Sequence, residues 1–226
     1  MQYNINFDLE FKKNESKGIY VALEGIDGSG KTTQAERLAE YFNSKGMTVI
    51  RTREPRKEGI IGDLVHQVLT GKLKFPAVAL QYLFSTDRVL NQQEVVLPAL
   101  KTGKIVVSDR SFWSAVVYGI LDKGENNYDD KAASQLLIAQ SILSMYHQFT
   151  IPDFTFYLKI PLEISLARLK AKDDTKEIYE TKEKIEAVSK VYDELFERFK
   201  EEIITMDGTR PVEEITAQII KIIEKK

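Results

Sequence analysis

Gly25-Ile26-Asp27-Gly28-Ser29-Gly30-Lys31-Thr32 is the stretch on which the reading of the fold turns. It follows Ile19-Tyr20-Val21-Ala22-Leu23, a short apolar run of the kind that forms a strand buried on both faces. It precedes a segment from Thr32 to Glu40 whose period puts Ala35, Leu38, Ala39 and Phe42 on one helix face. G-x-x-x-x-G-K-T between a strand and a helix N-terminus is a P-loop. The glycines let backbone N–H groups curl around an anion, and the helix terminus adds its dipole. Residues Gly25, Ile26, Asp27, Gly28, Ser29, Gly30, Lys31, Thr32 and Thr33 therefore form the candidate site for ATP phosphates. Lys31 reaches the β- and γ-phosphates, and the Thr32 hydroxyl is a candidate Mg²⁺ ligand.

Outward from the loop, the pattern alternates. Met47–Ile50, Ile105–Ser108, Phe154–Leu158 and Ile203–Met206 read as further strands. Helical periods fall at 60–69, 77–99, 112–120, 132–147, from 161 and 163 onward, 182–200, and after Pro211. Five strands alternating with helices, the first ending in a P-loop, predict a doubly wound five-stranded parallel sheet in three layers, α/β/α. Residues 18–226 read as a single domain. Residues 1–17 read as an N-terminal arm, either an added edge strand on the alternation of Ile5, Phe7, Leu9 and Phe11 or a loosely ordered segment. The charged run at about 168–180 reads as a lid.

Composition narrows the function class. The chain has 226 residues, 43% hydrophobic and 29% charged, with a net charge of −2, which does not suit a general nucleic-acid binder. It has no cysteine, which excludes disulfides, thiolate metal sites and cysteine nucleophiles and fits a cytoplasmic setting. No apolar run reaches the length needed to cross a membrane, and no signal-peptide core is present.

In an open parallel sheet, residues just past the strand C-termini face the ligand crevice. That places Thr52-Arg53-Glu54-Pro55-Arg56-Lys57 and Asp109-Arg110 at the site. Phe84 and Arg88, four apart, share a helix face that can stack a base and bond its edge. Ser114 and Tyr118 share another. An N-K-x-D base reader is absent, and the third strand ends in Asp-Arg rather than the Asp-Glu of motor ATPases. A small-molecule kinase fits instead, with donor loop, acceptor cluster and lid. Several arginines at one pocket favour a phosphate acceptor, already a nucleophile, whose approach to another polyanion needs cations.

Four stretches together resemble the thymidylate (dTMP) kinase family, among the P-loop nucleoside monophosphate kinases: Leu23 to Gln34, Thr52-Arg53-Glu54-Pro55, Leu83-Phe84-Ser85-Thr86-Asp87-Arg88, and Pro98-Ala99-Leu100 through Gly103-Lys104 to Asp109-Arg110. The likeness spans about Gly18 to Ile223. It implies ATP-dependent phosphorylation of dTMP with Mg²⁺ held near Thr32 and Asp109. Asp27 would accept from the 3′-hydroxyl, Phe84 would stack on thymine, and Arg88 would bond its edge. Arg110, with Arg56 or Lys57, would hold the acceptor phosphate, while Ser114 and Tyr118 would line the nucleoside pocket. Tyr179 would approach the sugar from the lid end, and Arg210 would approach adenine. Because the P-loop holds no arginine, the lid would supply the catalytic cation as Arg168, Lys172 or Lys176. The resemblance also implies a homodimer, with 77–90 and 112–143 as candidate faces. Ser111 stands where the family has Tyr, a pattern shared with deoxynucleoside kinases, so that alternative stays open, as does a non-catalytic nucleotide-binding module.

Overall fold

A computed structural model describes residues 10–124, 140–171 and 178–225. Its centre is a five-stranded parallel sheet of β1 (Ile19–Glu24), β2 (Val49–Arg53), β3 (Ile105–Asp109), β4 (Phe154–Lys159) and β5 (Ile203–Asp207), in the order β2-β3-β1-β4-β5. The expected doubly wound α/β/α architecture is the observed one. The P-loop strand is central, with β3 and β4 on either side, so the strand order diverges at the point where the loop emerges.

Period-two alternation divides the sheet between two helical layers. Val21, Leu23, Ile105, Val107, Phe156, Leu158 and Met206 pack with α1 (Lys31–Ser44) and with Val212–Ile223, the last helix, α8. Tyr20 and Val106 point the other way, onto α4 (Leu97–Lys101), which follows α2 (Gly59–Leu69) and α3 (Ala77–Asn91). Tyr157 and Ile203 join that second layer against α5 (Phe112–Gly124) and α7 (Lys182–Arg198). Between β4 and α7 lies α6 (Leu162–Lys170).

The helical stretch expected at 77–99 divides into α3, a π-helical turn at Gln92–Val96, and α4. The segment expected as a helix at 132–147 is described from 140, where it ends in a 3-10 turn at Ser144–Tyr146. Of the arm, Ile5, Phe7 and Leu9 lie outside the described residues, as does the lid from 172 to 177. Residues nearer the domain dock on it: Lys12 makes a parallel bridge with Thr150, Asn14 Nδ2 donates to Asp153 Oδ2 at 2.7 Å, and Phe11 stacks on Phe112.

The register fixes the working edge of the sheet. Leu23 pairs with Asp109, and Arg53 pairs with Asp109 from the other side. Glu24, Arg53 and Asp109 therefore leave the sheet at one level, and the loops that follow them share one crevice.

Candidate active site

The P-loop adopts the conformation its glycines permit. Gly28 and Gly30 have φ of 78° and 99°, and Gly30 caps α1. A Cβ at Gly28 would stand 2.9 Å from the Ser165 carbonyl oxygen, so only glycine lets α6 close on the loop. Ser165 Oγ donates to the Asp27 carbonyl at 2.7 Å across the same contact. Lys31 is buried and curls back, its Nζ donating to the carbonyls of Gly25 at 3.0 Å and Ile26 at 2.9 Å. Burial, then the nearby Arg110, lower its pKa to about 8, against the opposite pull of Asp109, Asp27 and Glu24.

At the end of β3, Asp109 Oδ2 accepts from Thr32 Oγ1 at 2.6 Å, bringing together the two expected metal ligands. Arg110 follows with φ of 78°, an unusual conformation for a residue other than glycine. Its N–H donates to the Leu23 carbonyl at 2.9 Å, and Ser108 Oγ donates to its carbonyl at 2.6 Å, so the backbone is pinned. The guanidinium pairs with Asp27 Oδ1, donates to Gly25 O at 3.2 Å and to Tyr192 OH at 3.2 Å, and lies over the Tyr118 ring at 5.2 Å.

Behind Arg110 stands Glu24, fully buried, to which sequence reasoning assigned no role. It accepts from Ser111 N and Oγ at 2.7 Å each, Ser114 Oγ at 2.6 Å and Tyr192 OH at 2.8 Å. Ser111 is thus 1% exposed and turned to Glu24 instead of the cleft. Ser114 lines the cleft, but its hydroxyl hydrogen is committed to Glu24 or Tyr192.

Phe84 and Arg88 both line the cleft, with the guanidinium 5.8 Å from the Phe84 ring centre and also 5.8 Å from that of Tyr146. Arg88 Nε donates to Glu54 Oε2 at 2.9 Å, a pair 4% and 2% exposed, while its Nη1 has no hydrogen-bond partner among the described residues. Asn91 Nδ2 donates to Glu54 Oε1 at 3.0 Å. Burial pushes the Glu54 carboxyl up to about 7 against the pull of Arg88. The expected choice between Arg56 and Lys57 has a structural counterpart. Lys57 lines the cleft, whereas Arg56 is absent from its lining and binds Asp87 at 3.0 Å and Glu94 at 2.8 Å. Arg53 also lines it, with a buried Nε that has no hydrogen-bond partner among the described residues.

Tyr118 and Tyr179 meet edge to face at 4.8 Å, and Tyr179 OH donates to the Asp122 carboxylate at 2.7–2.8 Å. The lid end is tied down by Ile178 N donating to the Leu69 carbonyl at 2.9 Å. Among the three candidate lid cations, Arg168 sits against the P-loop, donating to Gly28 O at 3.0 Å and Gly208 O at 3.2 Å. Lys172 and Lys176 lie outside the described residues. Arg210 lines the far end of the cleft, half exposed, with Asp207 3.5 Å away. The whole forms one cleft of about 630 Å³, running from the P-loop to Phe84 and Arg88. Gln81, in the lining, and Glu24, behind it, are the contributors that sequence reasoning did not assign; for Glu24 its place at the end of β1 was the available signal.

Comparison with known proteins gives the family and the fold. A family model described as thymidylate kinase matches residues 23–219. The chain is 32% identical over 215 residues to a probable thymidylate kinase of Pyrococcus horikoshii, covering 92% of this chain and 97% of that one. It is 33% identical over 214 residues to a thymidylate kinase of Sulfurihydrogenibium, covering 92% and 98%. A solved thymidylate kinase from Candida albicans superposes with a TM-score of 0.79 at 25% identity, covering 93% of each chain.

Proposed function

The chain belongs to the thymidylate kinase family, and from that premise we propose that it transfers the γ-phosphoryl group of ATP to dTMP, giving dTDP and ADP. The observation that carries this reading is the single cleft with a triphosphate loop at one end, an aromatic ring with a buried guanidinium at the other, and Asp109 and Arg110 between. Donor and acceptor sites in one crevice suit in-line transfer, where positioning and charge stabilisation do most of the work.

Lys31 and the loop N–H groups hold the donor phosphates. Arg110, Lys57 and Arg53 supply positive charge where the acceptor phosphate approaches, offsetting repulsion between two polyanions. Asp27, beside Arg110, accepts from the nucleotide 3′-hydroxyl, so the loop serves both substrates. Phe84 stacks on the base, and Arg88 Nη1 donates to its edge. Arg168, at the Gly28 carbonyl, is the candidate lid cation that stands beside the P-loop among the described residues. Tyr118 and Tyr179 close the sugar side, and Arg210 approaches adenine. The hydroxyl of Thr32 and carboxylate of Asp109 form a hard oxygen pair that would suit Mg²⁺. Held there, the ion would supply positive charge against the negative charge that develops during phosphoryl transfer.

Dimerisation belongs to the same reading. The apolar side chains expected on α5 are buried in the core, whereas α3 leaves Val78, Tyr82 and Val89 exposed, the face we assign to a second copy. Among the described residues, no helix is long and apolar enough to cross a membrane; a cytoplasmic setting, where both nucleotides occur, completes the proposal.

An ADP-release assay across dTMP, dUMP, thymidine and the other nucleoside monophosphates tests it. Turnover of dTMP with ATP and Mg²⁺ is expected. Arg110→Ala should raise KM for dTMP on the order of 10–100-fold while moving KM for ATP far less, as loss of a charged contact to one substrate would. Good turnover of thymidine without turnover of dTMP overturns the proposal.

A further inference from the structure

Gln81 is a buried amide without a hydrogen-bond partner among the described residues. It is 3% exposed and lines the cleft, and there neither Nε2 nor Oε1 is engaged. Buried amides are ordinarily satisfied, because the desolvation of donor and acceptor is otherwise uncompensated. Its helical spacing to Phe84, three residues on, and Arg88, seven on, sets all three on one face of α3. The facing helix makes room for it. A Cβ at Gly119 of α5 would stand 3.2 Å from Gln81 Nε2 and 3.3 Å from its Cδ.

The neighbouring polar groups are largely committed. Ser114 Oγ is engaged with Glu24 and Tyr192, and Arg88 Nε is engaged with Glu54, leaving Arg88 Nη1. Ala115, the next cleft residue on α5, offers only a methyl group. The geometry points to Gln81 as a specificity-determining residue that reads the pyrimidine edge, resting on the dTMP reading above. A thymine ring stacked on Phe84 presents acceptor, N3–H donor, acceptor along its edge. An amide can accept from N3–H while donating to one adjacent carbonyl. Gln81 alone could flip to suit cytosine, but Arg88 can only donate, so a 4-amino group opposite Arg88 is rejected. The two together select a ring with a carbonyl at one position and N3–H at the next.

The test uses dTMP, N3-methyl-dTMP and dCMP with the wild-type enzyme, Gln81→Met and Gln81→Ala. Methionine keeps the volume without an amide, and alanine makes room for the methyl group. Wild type should prefer dTMP over N3-methyl-dTMP by about 100-fold or more in kcat/KM. Both variants should lose about 10–100-fold for dTMP, mainly through KM, with KM for ATP unchanged as the sign of an intact donor site. In Gln81→Ala the preference against the N3-methyl compound should shrink at least about tenfold. Wild type that turns over dTMP with both variants matching it, or variants that keep the full preference, overturns the role of Gln81 alone. Wild type that does not turn over dTMP overturns the proposed function, and the role of Gln81 with it.

Discussion

At the scale of single residues, the site is built from charges that burial has made responsive. Lys31 is the clearest. Burial and Arg110 bring its pKa down to about 8, so above that pH a growing fraction is neutral. A polyphosphate settling on Nζ favours the charged form and raises the pKa again, whereas the phosphates of free ATP are already fully ionised there. Binding of ATP above pH 8 should therefore take up a proton, approaching about one per site near pH 9, and apparent affinity should fall as pH rises. Calorimetry in two buffers of different ionisation enthalpy reads the uptake directly. Near-zero uptake at pH 7, clear uptake at pH 8.5, and none in Lys31→Met is the expected pattern; equal heats in both buffers at pH 8.5 would remove Lys31 from the phosphate site. Arg88 and Glu54 are the second case. Two charges held in the interior persist only because each neutralises the other, and removing one partner from such a pair costs about 3–5 kcal/mol. The pair holds Arg88 in one orientation with Nη1 left over, which a solvated arginine would not maintain.

At the scale of elements, Glu24 joins parts of the fold that are remote along the chain. It ends β1, and its carboxylate gathers Ser111 and Ser114 from the start of α5 and Tyr192 from the middle of α7. Arg110 and Ser111 join β3 to α5, so the network that fixes Ser111 and α5 also fixes the left-handed backbone of Arg110 and the aim of its guanidinium. An amide at this position offers one acceptor oxygen in place of two and adds two donors facing donors. Glu24→Gln should thus destabilise the protein by about 2–4 kcal/mol, as losing charge-assisted bonds in a buried network does, with a lower urea midpoint and an unchanged slope. Because Arg110 loses its backing, KM for dTMP should rise at urea concentrations of zero, where the variant is folded. A variant as stable as wild type would mean that the four bonds carry little weight. This element-level coupling also marks the limit of what the sequence discloses. The strands were readable because residues buried on both faces of a parallel sheet form short apolar runs. The P-loop, Asp109 and Arg110 were readable because strand ends in such a sheet face the crevice. Glu24 and Tyr192 are 168 positions apart, and no local period connects them. Arg56 and Lys57 are adjacent, and only the position of Asp87 and Glu94 decides which one turns away.

At the scale of the whole molecule, α3 has two occupations. One face presents Gln81, Phe84 and Arg88 to the cleft, and all three are buried. A second face, roughly 100° around the axis, leaves Val78, Tyr82 and Val89 exposed by 54%, 63% and 43%. At 100° per residue these three fall within about 40° of one another around the axis, so they form a stripe and not scattered surface positions. An apolar stripe on a helix that also lines the cleft would link assembly to substrate binding if a second copy covered it. In that case α3 is held on two neighbouring faces, and the alignment of Phe84 and Arg88 depends on that hold. Replacing Val78 and Tyr82 by glutamate puts charges on the stripe without touching the cleft face. Sedimentation velocity should then show a dimer for wild type and a monomer for the double variant. Thermal unfolding should remain cooperative in both, since the substituted side chains lie outside the core. KM for dTMP should rise in the monomer more than KM for ATP, because the donor loop sits on β1 and α1, away from α3. A wild type that sediments as a monomer, or a double variant that remains a dimer, would take the stripe out of the interface and leave α3 held from the cleft side alone.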